Sequence, residues 1–478
     1  MSDNSYHISP TMYKMLPWIA AVAFFMQSLD NSILNTALPT IAADLHESPL
    51  NMQSAVISYV LAVALFIPVS GFLADRFGTR NVFVVAVALF SVGSLLCAMS
   101  TSLIYLALSR FIQGVGGAMM VPVSRLTLIK SFKRNEFLAA LNASMIPGLI
   151  GPILGPVLGG YLVQIATWHW IFLINLPIGV LGVIVAWKFM PNIQEKRTAF
   201  DAVGVLFIAT AIILATVNLE LLHNNIHALL SLAIFLACLL FFYLYYRHAR
   251  KAPSPIFSLL LFKIHTFRIG IIGNLVSRLG ISAAPFLLPL MLQVGFGFSA
   301  IKAGLMLVPM AIGSITMKTF VQPILRHLGY RNVLISNTMI VGCIIMSMSL
   351  LDQNTSYILF FVLLFCLGCA NSLQFTSMNS ITLADLHGRL TSSGNSLMAV
   401  NQQLAISFGV AFAAILVRVF SDYFALDDNG INNASRIYAF KASFILLGLI
   451  SFCSSFIFHY LHKNDGKNLV TKVKTDSH

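Results

Sequence analysis

The chain has 478 residues, of which 58% are hydrophobic and only 9% are charged, and its mean hydropathy is +0.85. Soluble globular proteins carry about 25% charged residues, so this composition excludes a soluble protein and predicts an all-α polytopic membrane protein. The net charge of +13 could suggest nucleic-acid binding, but the basic residues lie in short loops between apolar runs, which is typical of membrane topology. The lipid bilayer is therefore an expected partner, and nucleic acid is not.

Apolar runs of about 18 residues or more are long enough to cross a bilayer as helices. Fourteen such runs follow one another, at 16–38, 52–73, 81–100, 103–129, 138–163, 169–190, 202–220, 228–246, 267–292, 303–323, 332–351, 355–382, 393–418 and 439–461. The even number predicts that both termini lie on the same side of the membrane.

The distribution of basic residues predicts which side that is. When a residue within two positions of a span end is counted with the adjoining loop, four of the 29 Lys and Arg residues fall in the predicted exterior loops and four within spans, which leaves 21 on the side of the termini. Short loops rich in Lys and Arg stay in the cytoplasm, so both termini are predicted to be cytoplasmic. The four basic residues within spans are Arg110, Arg125, Arg278 and Lys318.

A short internal repeat suggests two related halves. The segment FGTRNV at 77–82, after the second span, resembles LGYRNV at 328–333, after the tenth, and Gly117 and Gly368 are separated by the same number of residues. Repeated halves are common in transporters. We predict two six-helix bundles with two inserted helices, divided as an N-terminal bundle (1–190), an inserted pair with its loops (191–265), a C-terminal bundle (266–462) and a basic tail (463–478).

The first span carries polar residues on one helical face. Gln27, Asp30, Asn31 and Asn35 are spaced as i, i+3, i+4 and i+8. An ionised carboxylate in the middle of a bilayer costs several kcal/mol, so this face should line a water-accessible cavity. We interpret Asp30 as the site of a proton that drives transport.

The fourth span supplies a candidate partner for this acid. Arg110 lies well inside an apolar run and shares a helical face with Gln113, Gly114 and Gly117. An arginine inside the membrane needs a counter-charge, and Asp30 is the acid that the spans offer. The pair would couple protons to transport, or it would be a structural ion pair that joins spans one and four.

Two further motifs are candidates for moving parts. The loop after the second span contains Gly71, Asp75, Arg76, Gly78 and Arg80. It is interpreted as a gating latch, and the alternative is a short charged turn. The fifth span contains a regular series of small residues and prolines, which predicts a packed hinge or ordinary close packing. The members of that series are Gly151, Gly155, Pro156, Gly159 and Gly160.

Polar side chains also occur in the spans of the second half. Together with Gln27, Asn31, Asn35 and Gln113, these second-half side chains are predicted to line the substrate cavity. For each amide, the alternative is an interhelical hydrogen bond. These residues are Asn274, Arg278, Asn371, Gln374, Asn395 and Gln402. Because the spans hold four cations and one acid, neutral, zwitterionic or anionic substrates are expected to be favoured.

These motifs resemble those of the major facilitator superfamily, specifically its fourteen-span drug:proton antiporter branch. The residues that carry the resemblance are LDxSxxNxALP at 29–39, GxxxDRxG at 71–78, RxxQG at 110–114, GxxxGPxxGG at 151–160 and WHWIFxxNxPxG at 168–179. Departures are Ser32, Thr79 and His169, where the family usually has Thr, a basic residue and Arg, and Arg326, which replaces the acid of the repeated loop.

The resemblance implies a monomer in the bacterial inner membrane that exports drugs or other small amphipathic molecules by alternating access. The proton gradient would be its energy source, with no cofactor or metal. An efflux carrier for an anionic metabolite, such as an organic acid or a metal chelate, is the alternative. A channel would not need a buried acid between two related halves, and an enzyme would need a cluster of catalytic groups that the sequence lacks.

Overall fold

The structure, a computed structural model, describes residues 10–132, 134–194, 200–223, 228–386, 389–427 and 433–470. Regular secondary structure in these ranges is entirely helical. The helices are α1 (Pro10–Asp44), α2 (Gln53–Phe77), α3 (Thr79–Ala98), α4 (Leu103–Ser131), α5 (Arg134–Ile165), α6 (Trp170–Leu173), α7 (Asn175–Phe189), α8 (Ala202–His223), α9 (Ala228–Ala249), α10 (His265–Leu290), α11 (Ala300–Ser347), α12 (Tyr357–Leu383), α13 (Arg389–Asp427), α14 (Asn433–Ser454) and α15 (Lys467–Val470). The prediction of an all-α polytopic chain is confirmed.

Each of the fourteen predicted spans coincides with helical structure. The helix α11 contains two of them, because Gly329 interrupts its helical backbone with φ +74° and ψ 158°. The sixth predicted span corresponds to α6 and α7 together. Within the described ranges, eleven helices are by themselves long and apolar enough to cross a membrane. The predicted basic tail is described only as far as residue 470.

The two copies of the internal repeat share a backbone feature. Gly78, between α2 and α3, has φ +92°, and Gly329, at the equivalent position, has φ +74°. Both values lie in the region that favours glycine. At Gly78 a side chain would also meet Asn192, whose Oδ1 lies 2.0 Å from the position of an added Cβ. The repeated motif therefore builds the same sharp helix junction twice.

By contacts, the chain forms two units. The first comprises Met1–Ala202, Ala209–Glu220 and Leu288–Val308, and the second comprises Val203–Ile208, Leu221–Leu287 and Pro309–His478. Unit 1 therefore includes the end of α10 and the start of α11, in addition to the first six predicted spans. The candidate proton-coupling residues lie entirely within unit 1.

Backbone contacts explain why the start of α11 belongs to unit 1. A Cβ added to Gly160 would lie 2.3 Å from the carbonyl oxygen of Ala300, and one added to Gly304 would lie 2.1 Å from that of Pro156. In addition, the side-chain amide of Gln293 donates to the carbonyl of Thr36 at 2.9 Å. Glycine thus allows α5 and α11 to touch along their backbones.

Candidate functional site

An ion pair lies at the centre of unit 1. Arg110 Nη1 of α4 is 2.6 Å from Asp30 Oδ2 of α1, and each residue is 1% exposed. A charged hydrogen bond of this kind is strong, because burial lowers the local dielectric. The partnership between Arg110 and Asp30 that the sequence suggests is therefore present.

Two side-chain amides complete the hydrogen bonding of the carboxylate. Asp30 Oδ1 accepts from Gln113 Nε2 at 2.7 Å and from Asn175 Nδ2 at 3.1 Å. Both amides also approach the hydroxyl of Ser94, at 2.8 Å and 3.4 Å. Four helices, α1, α3, α4 and α7, thus contribute to one polar cluster inside an apolar bundle.

The guanidinium of Arg110 has further partners on its other side. Its Nε donates to the carbonyl of Ala55 at 3.4 Å, and its Cζ lies 4.3 Å from the centre of the Tyr59 ring. Gly114 permits this approach, since an added Cβ would lie 2.6 Å from the carbonyl oxygen of Tyr59. The glycine that shares a face with Arg110 therefore brings α2 against α4.

The position of Asp30 differs from the sequence-based expectation. Its side chain is buried, whereas Asn31 is exposed and Gln27 and Asn35 are half-buried. The carboxylate turns away from the open side of α1, because Arg110 and the two amides offer it a full set of donors inside the bundle. Gln27 instead donates to the carbonyl of Gly117 at 3.2 Å.

Three predicted cavity residues, Gln113, Gln374 and Asn274, are likewise buried. Gln113 binds the Asp30 carboxylate. Gln374 of α12 donates to Thr338 at 2.7 Å and accepts from Asn337 at 2.9 Å, both on α11. Asn274 is 0% exposed and accepts from Arg278 Nε. Gln113 and Gln374 thus bond to neighbouring helices, as in the interhelical alternative, whereas the bond of Asn274 stays within α10.

Other predicted cavity residues reach the surface of unit 2. Asn395 is exposed, Asn371 and Arg278 are half-buried, and Gln402 donates to Asn379 at 2.6 Å. The Arg278 guanidinium lies 4.9 Å from the centre of the Phe375 ring. In the described part of the chain, no carboxylate lies within ion-pair distance of Arg278.

The loop between α2 and α3 is anchored by charge and by aromatic rings. Asp75 Oδ1 accepts from Lys130 Nζ at the end of α4, at 2.9 Å. Arg76 lies over the Phe77 ring at 5.3 Å, and Arg80 lies over the Trp187 ring at 4.9 Å. Gly71 has no neighbour within 4 Å of an added Cβ, so its side of α2 is open.

The glycines of α5 pack against α1. Cβ atoms added to Gly151, Gly155 and Gly159 would lie 2.7, 2.0 and 2.6 Å from Leu29 N, Ser32 Oγ and Ile33 O. The Ser32 hydroxyl donates to the Gly151 carbonyl at 3.0 Å. The small-residue series therefore forms a tight contact between α5 and α1, and such a contact fits both a packed hinge and ordinary close packing.

Sequence reasoning missed two members of the polar cluster. Asn175 offers a signal, because it is an amide inside an apolar run and belongs to the WHWIFxxNxPxG motif. Ser94 offers none, since serines are frequent in these spans and usually donate to their own helix, as Ser109 does to Tyr105. Only the folded bundle shows that Ser94 faces the amides.

Comparison with known proteins places the chain in a family. The model of the Major Facilitator Superfamily matches residues 20–410. A protein of Pectobacterium carotovorum subsp. carotovorum (strain PC1), provisionally described as multidrug resistance protein MdtD, is 45% identical over 435 residues, which cover 90% of this chain and 93% of that protein. The protein of the same description from Pectobacterium atrosepticum is 44% identical over 92% of this chain and 95% of its own.

A solved structure is similar in fold. A POT family transporter in complex with 5-aminolevulinic acid superposes with a TM-score of 0.72 at 13% identity, over 96% of this chain and 97% of that one. The match of the family model and the identity to the curated relatives agree with the helical fold and the sequence motifs. The chain belongs to the Major Facilitator Superfamily, and it is a multi-pass membrane transporter rather than an enzyme.

Proposed function

We propose that the protein is a proton-coupled exporter of drugs or other small amphipathic molecules. The observation that carries the proposal is the Asp30 carboxylate, buried among membrane-spanning helices with Arg110, Gln113 and Asn175 as its donors. Acids in such positions are costly and typically belong to proton relays. The curated relatives are described as multidrug resistance proteins, and export of drugs by this chain would fit that description.

The chemistry of the pair provides a coupling step. When Asp30 takes up a proton, its charge disappears and Arg110 is left as an uncompensated buried cation. Breaking a buried ion pair in this way costs about 3–5 kcal/mol, which is large enough to change the preferred packing of α1 against α4. Proton uptake and substrate binding would then occupy opposite states of an alternating-access cycle.

Proton exchange requires access to a carboxyl that is closed off in this structure. Asn31, the next residue along α1, is exposed. Because adjacent residues lie about 100° apart around a helix, α1 would have to rotate or tilt during the cycle to expose the Asp30 carboxyl. The membrane potential adds a driving force of about 2.3 kcal/mol per charge for 100 mV. In this proposal both termini face the cytoplasm, as the 21 basic residues on their side of the chain suggest.

The test is transport in inside-out vesicles with an imposed pH gradient. Asp30→Asn should abolish gradient-driven uptake of an efflux dye, with transport normalised to the amount of folded protein. Asp352→Asn is the matched control, because Asp352 pairs with Lys441 outside the bundle core and is largely exposed; it should transport normally. Normal gradient-driven uptake by Asp30→Asn would refute the proton-coupling role.

A second candidate is export of an anionic metabolite, and Arg278 favours it. This side chain lies beside Asn274 and over Phe375, with no carboxylate at ion-pair distance among the described residues. A carboxylate of the substrate could serve as its counter-charge. Competition between a cationic dye and small carboxylates, measured in wild type and in Arg278→Gln, separates the two: only the anion carrier loses carboxylate competition in the variant.

A further inference from the structure

An apolar groove opens at the surface of unit 1, and no residue of the polar cluster lines it. It has a volume of about 270 Å³ and is lined only by apolar residues of α1, α3, α4 and α7. Trp18 and Leu181 are 66% and 63% exposed, so the groove opens at the surface of the bundle. Polar side chains of membrane-spanning helices turn toward the bundle interior or a water-filled cavity, so we infer that this wholly apolar surface faces lipid.

The depth of the groove depends on a glycine. Gly182 of α7 lies opposite Val87 of α3 and Val22 of α1, whose Cγ1 atoms would be 3.5 and 4.0 Å from an added Cβ. These are ordinary van der Waals distances, so a side chain at Gly182 would be accommodated and would fill the space. The missing side chain therefore creates a slot between three helices.

Three helices that line the groove each carry a basic residue at the same end. Lys14 precedes Trp18 by four residues, Arg80 precedes Phe83 by three, and Lys188 follows Val185 by three. At these spacings, each basic residue shares a helical face with a residue that lines the groove. The three basic residues lie near the start of α1, the start of α3 and the end of α7. Because consecutive spans run in opposite directions, these three ends lie on the same side of the bundle.

The guanidinium of Arg80 has unused hydrogen-bonding capacity. Its Cζ lies 4.9 Å from the centre of the Trp187 ring, and its Nε is buried without a hydrogen-bond partner in the described part of the chain. The Lys14 and Lys188 side chains are exposed. Together they present positive charge where a lipid headgroup would lie above the groove.

We propose that this groove binds one anionic phospholipid, with an acyl chain between α1, α3 and α7 and the phosphate headgroup on Lys14, Arg80 and Lys188. The apolar lining fits a hydrocarbon chain, and basic pockets between transmembrane helices on the cytoplasmic side favour anionic headgroups. The site goes beyond the proposed export function and requires neither proton coupling nor a particular substrate. It lies in the leaflet on the side of the N-terminus, which the proposed orientation makes cytoplasmic.

Trp18 provides the probe for a direct test. The protein is reconstituted in phosphatidylcholine vesicles that contain increasing fractions of phosphatidylglycerol or phosphatidylcholine with brominated acyl chains. Trp18 fluorescence is obtained as the difference between wild type and Trp18→Phe. We expect half-maximal quenching by brominated phosphatidylglycerol at a mole fraction about fivefold or more below that for phosphatidylcholine, since each basic residue near the surface favours anionic lipid.

Two independent variants separate the acyl-chain and headgroup contacts. Gly182→Leu should remove quenching from the groove, and Lys14→Gln, Arg80→Gln and Lys188→Gln combined should make the two lipids equivalent. Val180→Leu, on the exposed side of α7, should keep the wild-type preference. Because no transport is measured, the result does not depend on the proposed function.

Equal quenching by the two lipids in wild type would overturn the proposal, because it would mean that bulk lipid occupies the groove without selection for the headgroup. A preference for phosphatidylglycerol that persists in both variant proteins would overturn it as well. Relief of quenching by a neutral lipophilic efflux compound, without any preference between lipids, would assign the groove to a transported substrate instead.

Discussion

Asp75 at the end of α2 accepts a hydrogen bond from Lys130 at the end of α4, with 2.9 Å between Oδ1 and Nζ. Both side chains are partly exposed, and both residues belong to unit 1. In this structure Asp75 therefore pairs within one unit, and its partner is a lysine outside the motif from which a latch was predicted. The pair joins the loop to the same helix that carries Arg110.

We predict that Asp75→Asn reduces efflux while changing the free energy of unfolding by only about 0–1 kcal/mol, because partly exposed ion pairs contribute little stability. Exchanging the charges, with Asp75→Lys and Lys130→Asp together, should recover part of the efflux. Dye export by cells and thermal unfolding in detergent measure the two effects. Asp352→Asn breaks another exposed ion pair and should leave efflux unchanged. Efflux that is normal in Asp75→Asn would contradict a gating role.

The buried pair behaves differently, because neither charge can be solvated when the other is removed. We predict that Asp30→Asn and Arg110→Gln each lower the free energy of unfolding by about 3–5 kcal/mol. The double variant should be less destabilised than the sum of the two, since it leaves no unpaired charge. Unfolding by denaturing detergent, followed by Trp fluorescence, gives the coupling energy. Strictly additive effects would show that the two groups do not act as a pair.

The sequence predicts the fold well because lipid imposes one simple rule on every span. Apolar length decides where helices lie. Two details needed the structure: α11 continues through the predicted loop between the tenth and eleventh spans, with a break at Gly329, and the sixth span is divided into α6 and α7. The pairing of Asp30 with Arg110 was also predictable, because few charges occur within the spans and they have opposite signs.

The direction in which a polar side chain points was harder to predict. The spacing of Gln27, Asp30 and Asn31 places them on one face of α1, but a face is broad enough to contain both a buried carboxylate and an exposed amide. Which of them turns inward depends on donors from α4 and α7. Those donors, Gln113 and Asn175, are brought close only by tertiary packing.

Helix packing gives a prediction about the glycines of α5. Gly159→Ala should destabilise the protein by about 1–3 kcal/mol, because overpacking forces shifts in the neighbouring chain and the added Cβ would lie 2.6 Å from the backbone oxygen of Ile33. Gly71→Ala is the matched control, since nothing lies within 4 Å of a Cβ there. Thermal unfolding of the purified variants measures both. Equal melting temperatures for the two would mean that α1 and α5 are not in backbone contact.

A variant of Gln374 can show whether this amide has a structural role or binds substrate. It is buried between α11 and α12, where it donates to Thr338 and accepts from Asn337. Gln374→Ala should lower the free energy of unfolding by about 1–3 kcal/mol through the loss of buried hydrogen bonds, with no change in the relative transport of different substrates. Asn395→Ala, at an exposed position of α13, should leave stability unchanged. Thermal unfolding and a panel of efflux substrates test both variants. A side chain that only joins two helices should affect the transport of every substrate equally. A changed substrate preference at normal stability in Gln374→Ala would therefore support the interpretation that Gln374 lines the substrate cavity.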